Sequence, residues 1–206
     1  MAQDADAQLL DRARAGDRQA LGALLTRHER RLYNVILRMV RQRDDAAELT
    51  QQALTKIIEH LPSFRGDAAV GTWMTRIAMN EALAHVRRGA LRRTTSLDAP
   101  IGGNGDGRQT AAGDYLVDRR EPPPARGIEM KEERERLEAA IAGLEPEFRA
   151  VLVLRDVAGM DYGQIAAVLE LALGTVKSRL FRARLALREQ LSEQTSGGEI
   201  ATDEHR

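Results

Sequence analysis

"DYGQIAAVLELALGTVKSRLFRARLAL", residues 161–187, places a short apolar segment before a longer one studded with arginine. The first part, Tyr162–Leu169, follows Asp161, a residue type that caps helices by accepting from the free amides of the first turn. A break at Glu170–Leu173 separates it from the second part. On a helix turning ~100° per residue, Leu173, Val176, Leu180, Ala183 and Leu187 fall on one stripe. Lys177, Ser178, Phe181, Arg182, Arg184 and Arg188 lie on the other sides. The stripe accounts for docking, and the remaining surface is cationic. An ordinary solvated helix carries acidic partners three or four residues away. Between Gly174 and Arg188 there are none. A short helix, a turn and a longer cationic helix is the pattern of a helix-turn-helix, whose second helix enters the DNA major groove. There arginines neutralise phosphates and grip guanine edges, and a phenyl ring can meet a thymine methyl. Leu185 sits on the cationic face and has no role in that picture.

Charge and composition frame this reading. The chain has 206 residues, room for one or two domains at roughly 100–200 residues each. Its 31 basic and 31 acidic residues cancel, but they are segregated along the chain. Residues 76–93 hold Arg76, Arg87, Arg88, Arg92 and Arg93 against Glu81, whereas seven glutamates crowd residues 129–147. The absence of cysteine excludes disulfides and thiolate metal sites, and the four histidines are scattered, so no metal or cofactor is expected. No nucleophile–base pair is visible, and IGGNGDG (101–107) lacks the strand–helix context of a phosphate-binding loop, which argues against an enzyme. The charged N-terminus lacks a signal-peptide core, and no apolar run approaches the ~18–20 residues of a membrane helix. A soluble cytoplasmic protein without stable membrane insertion is expected.

Apolar spacing and helix-forming composition predict an all-α fold of two small helical domains joined by a flexible linker. In the first domain, residues 5–90, Leu9, Leu10 and Ala13 begin one helix, and Gly16-Asp17 separates it from a second carrying Leu32, Val35, Ile36 and Met39. Asp44-Asp45 precedes a third with the stripe Leu49, Ala53, Ile57 and Leu61, stopped by Pro62. A fourth begins near Thr72. Residues 91–128 are rich in glycine and proline and read as the linker. Residues 129–191 form the second domain with the helix-turn-helix, and the polar tail 192–206 is expected to be disordered.

The stretch 161–187 resembles the promoter-reading end of a bacterial extracytoplasmic-function (ECF) sigma factor. DDAAELTQQALTKI (44–57) followed by LPSFRGDAAVGTWMTRIAMNEALAHVRR (61–88) resembles the pattern DAEDLVQE…FRGxxxFxTWLxxIAxNxxxDxxR of that family's region two. The resemblance implies an initiation factor that binds core RNA polymerase, melts the −10 element and recognises the −35 element of promoter DNA. Its polymerase contacts would be the clamp of the largest subunit and the flap of the second-largest. It further implies an anti-sigma factor as a partner. Asp45, Glu48 and Gln52 match the clamp-facing positions, at i, i+3 and i+7. Phe64, Arg76, Asn80, Arg87 and Arg88 match the −10 side, with Trp73 as a second ring near the captured base or in the core. Thr175, Lys177, Ser178, Phe181 and Arg182 match the −35-facing positions. The chain departs from the pattern at Glu48 (aspartate), Gln52 (glutamate), Leu54 (phenylalanine), Val70 (an aromatic) and Ala172 (proline). The alternative is a helix-turn-helix regulator that is not a sigma factor, which explains residues 162–188 but not TWMTRIAMN (72–80).

Overall fold

The computed structural model describes residues 2–95 and 124–199, all the described regular structure being helical. Four helices come from the first segment: α1 Ala2–Arg14, α2 Arg18–Val40, α3 Arg43–His60 and α4 Val70–Thr95, with a 3-10 turn at Leu61–Ser63. The second segment supplies α5 Pro124–Gly143, α6 Pro146–Leu152, α7 Tyr162–Leu169 and α8 Leu173–Glu199.

Local chemistry sets the boundaries. Asp17 accepts from the Gln19 and Ala20 amides at 2.9 and 3.0 Å and so starts α2, after the left-handed Gly16 turns the chain. The Ala20 amide, and then Arg12 beside it, hold the Asp17 carboxyl below its ordinary pKa. Asp161 and Gln164 form a reciprocal capping box at the start of α7. After α6 the chain continues as one π-helical turn, Val153–Val157. This turn carries the chain to Gly159 and buries Met160 completely.

The expected linker ends are helical. α4 runs on to Thr95 because Ala90, Leu91 and Arg92 are good helix formers, and α5 starts at Pro124, a residue suited to the first helical position. The rest of the expected linker, 96–123, lies outside the described residues. The tail departs from expectation too. α8 continues to Glu199, since a formed helix gains one hydrogen bond per added residue. Residues 200–206 lie outside the described residues.

Helices α2, α3 and α4 pack on one another around Leu32, Ile36, Met39, Ile57, Met74 and Met79, all fully buried. Each such side chain contributes about 1.5–3 kcal/mol of burial. Around Val151, Leu154, Ile165, Val176 and Ala183, helices α6, α7 and α8 form a second cluster. The two clusters join into one continuous core, with α7 against α4 and the π turn against α2. Polar links tie the seam: Arg149 donates to the Met39 carbonyl at 2.8 Å, Arg31 to the Ala158 carbonyl at 3.0 Å, and Arg38 pairs with Glu138 at 2.7 Å. Arg149 also donates to the Ala142 and Leu144 carbonyls, so one guanidinium covers the C-terminal ends of α2 and α5. Burial holds Arg31 and Arg149 below the usual guanidinium range, and the Arg41 charge adds to this at Arg149.

Candidate nucleic-acid and polymerase interfaces

α8 docks through Val176, Leu180 and Ala183, which are buried, and Leu187, which is half-buried. Leu173, at the first position of the helix, departs from the expected stripe at 47 % exposure. The opposite side presents Lys177, Ser178, Phe181 and Arg182 to solvent, with Phe181 72 % exposed. Thr175 is half-buried and its carbonyl accepts from the Ser178 hydroxyl at 3.0 Å. The cations of α8 sort into two sets. Arg179 pairs with Glu147 at 2.6 Å and Arg184 with Asp156 at 3.4 Å, both across the fold. Lys177, Arg182 and Arg188 have no acidic partner among the described residues, and the first two flank Phe181. Lys177 and Arg182 therefore carry uncompensated charge beside an exposed ring.

A cleft forms where the 3-10 turn meets α4, lined by Ser63, Phe64, Arg65, Asp67, Thr72, Trp73 and Arg76. Phe64 is only 7 % exposed, and its ring lies 4.8 Å from that of Trp73 at 37°. This corrects its expected place as a ring presented to a base: packing makes it the floor of the cleft. Trp73, half-buried, is the ring that faces outward. Arg14 of α1 donates to the carbonyls of Pro62 and Phe64 and fixes the turn. Sequence spacing carried no sign of that contact. Along α4, Arg76, Asn80 and Arg87 are exposed at i, i+4 and i+11, which is one stripe, while Arg88 is exposed about a third of a turn away. Arg76 is paired with Glu170, the residue that ends α7.

On α3, Glu48 and Gln52 are exposed and Asp45 is half-buried. The Gln52 amide donates to Glu48 at 2.9 Å, and His85 of α4 lies 3.3 Å from Asp45. The three predicted positions do share one face. Among the described residues no three His, Cys, Asp or Glu side chains cluster as metal ligands, and no helix is long and apolar enough to cross a membrane.

Comparison with known proteins agrees with this geometry. Residues 24–92 match the family described as Sigma-70 region 2, and residues 134–187 match Sigma-70, region 4. The chain is 33 % identical over 192 residues to the RNA polymerase sigma-H factor of Pseudomonas aeruginosa, covering 93 % of this chain and 96 % of that protein. It is 32 % identical over 184 residues to the ECF RNA polymerase sigma-E factor of Escherichia coli K12, covering 88 % and 92 %. Among solved structures it resembles CnrH in complex with the cytosolic domain of CnrY, with a TM-score of 0.64 and 25 % identity over 92 % of this chain and 99 % of that one. With the cleft-bearing bundle of region two and the helix-turn-helix of region four in this order, and with relatives aligned along nearly its whole length, the chain belongs to the ECF sigma factors of RNA polymerase.

Proposed function

We propose that residues 5–90 bind core RNA polymerase and open the −10 element, and that residues 129–191 read the −35 element, with 91–128 connecting them. The face of Asp45, Glu48 and Gln52 meets the clamp of the largest subunit, and the second segment also packs on the flap of the second-largest. In the cleft, Trp73 holds an unstacked base above the Phe64 floor while Asn80 helps read it. Arg76, Arg87 and Arg88 hold phosphates. The protein acts in the cytoplasm as an initiation factor, and RNA synthesis belongs to the polymerase, not to this chain. An anti-sigma partner follows from the resemblance, and the similar CnrH was likewise solved in complex with another protein, the cytosolic domain of CnrY.

The observation that carries the promoter-reading assignment is the pair Lys177 and Arg182. They project, without acidic partners, from a helix docked by its other side. The test is promoter binding by holoenzyme across a salt series. Arg182→Ala is expected to cost about 1–3 kcal/mol at the cognate −35 element and relax preference at one base pair. Lys177→Ala is expected to weaken all sequences alike and lower the salt slope by about one unit. Full promoter activity in the double variant would reduce α8 to a solvated basic helix.

A further inference from the structure

The loop that borders the −10 cleft has few ties of its own. Residues 65–68 make no hydrogen bond or ion pair among the described residues, and Arg65, Gly66 and Asp67 are exposed. Gly66 turns the backbone at φ 82, in the left-handed region. Where such a loop stands is decided at its two ends, the 3-10 turn before it and the first turn of α4 after it.

Both ends are held by α1, which precedes the stretch matched as region two. Asp6, Leu10 and Arg14 follow one another at i, i+4 and i+8, a stripe about 12 Å long on one side of the helix. Leu10, in the middle, is buried in the core and seats α1 against α2 and α4. At one end of the stripe Arg14 donates to the carbonyls of Pro62 and Phe64 through a single nitrogen, Nη2. Fixing the Phe64 carbonyl fixes that residue beneath Trp73. At the other end Asp6 accepts from Arg27 at 2.8 Å and holds the His28 ring at 2.9 Å. That ring lies directly against the α4 backbone at Gly71, with no room for a Cβ between them. One helix thus positions the turn from which the loop leaves and, through His28, the helical turn into which it runs.

We propose that α1 is a two-point brace for the −10 loop, with Arg14 and Asp6 as positioning residues that set which base the cleft accepts without touching that base. Capturing an unstacked base requires the groups that receive it to be held within about half an ångström. The platform here is the Phe64–Trp73 pair, and Arg14 anchors the backbone of one member of it. Arg14 is itself exposed, so its removal frees the loop and leaves the core closed. The brace rests on the −10 role assigned to the cleft above, but its mechanical part is measurable in the free chain.

The test uses the full-length chain and its holoenzyme. Trp73 is the one tryptophan, so its quenching by acrylamide reports the stack on Phe64. Arg14→Leu should raise that quenching in the free chain and leave the thermal melt cooperative. In holoenzyme, on templates with a premelted −10 element, the same variant should flatten the preference among bases at the captured position on the order of three- to ten-fold. Affinity for core polymerase and discrimination at the −35 element should stay at wild-type values, which a misfolded chain would not show. Arg14→Lys should recover most of the preference, since an ammonium nitrogen also carries donors for two carbonyls. Asp6→Asn, which keeps an oxygen but drops the charge shared by Arg27 and His28, should weaken the preference in the same sense by loosening the other end. Wild-type quenching and base preference in Arg14→Leu overturn the brace, as does a loss shared equally by core binding and −35 discrimination. Wild-type preference in Asp6→Asn overturns its second point. A wild-type holoenzyme without preference at the −10 element counts against the −10 assignment instead, and Trp73 quenching in Arg14→Leu then decides the brace.

Discussion

Gly71 shows how tightly single residues are placed in region two. A Cβ there would come within 2.9 Å of the His28 ring, which is itself held by Asp6 at 2.9 Å. The histidine cannot swing aside without leaving that buried carboxylate, which also takes a 2.8 Å contact from Arg27. Gly71→Ala is therefore expected to destabilise the fold by about 1–3 kcal/mol, read as a lower denaturant midpoint with unchanged slope. An unaltered midpoint would mean that α2 and α4 can part at no cost. Arg149 is the second case. It lies in the apolar run FRAVLVL (148–154), and a lone charge in such a run is a visible sign of a buried donor. Its three carbonyl partners are not visible in the sequence, because one of them, Met39, is 110 residues away. Arg149→Met is expected to cost about 1–3 kcal/mol, since these buried carbonyls would lose their donor. A variant as stable as wild type would show that water replaces the guanidinium.

Helix ends were the most legible features, because caps act over three or four residues. Asp161 caps as its sequence context predicts, and Asp17, read from the sequence only as part of a break between helices, caps α2. Asp161→Ala is expected to destabilise α7 by about 1 kcal/mol, seen first as faster amide exchange in Tyr162–Leu169. Asp17 adds a pH dependence with a definite sign. Its folded pKa is depressed, so its stabilisation is complete above the unfolded value and is lost as pH falls through the folded one, below about pH 4. Thermal melts of wild type and Asp17→Asn, which keeps a capping oxygen but no charge, should converge in that range, and a constant gap down to pH 2 would refute the part played by the carboxylate's charge. On α3, the contact of Gln52 with Glu48 sharpens the polymerase prediction. Gln52→Glu sets two carboxylates at i, i+4, costing the free helix about 0.2–0.5 kcal/mol. A cationic clamp would return about 0.5–2 kcal/mol, so binding to core polymerase should still tighten in a competition assay. Weaker binding would remove this face from the interface. Helix lengths were less legible than caps. Composition marks 91–95 and 124–128 as linker and 192–199 as tail, yet helix continues through all three because propagation is cheap once a helix exists.

At the scale of the molecule, residues 5–90 and 129–191 expressed separately should each be helical but less stable than the whole chain. Each fragment exposes its share of the continuous core and leaves the seam's arginine–carbonyl contacts unmade. Cooperative unfolding by circular dichroism measures this, and fragments as stable as the intact chain would show that the seam contributes nothing. What the sequence by itself determined is local and periodic: the all-α class, the Asp161 cap, and the docking stripe of α8 from Val176 onward. Such features depend on neighbours within a turn or two, which the order of residues displays directly. Only the tertiary structure decided which candidates are free. It buried Phe64 beneath Trp73, bound Arg179 and Arg184 to acids of other elements while leaving Lys177 and Arg182 open, and set Glu170 against Arg76 across 94 positions. Pairings of that kind depend on how whole helices pack, and no spacing along the chain encodes them.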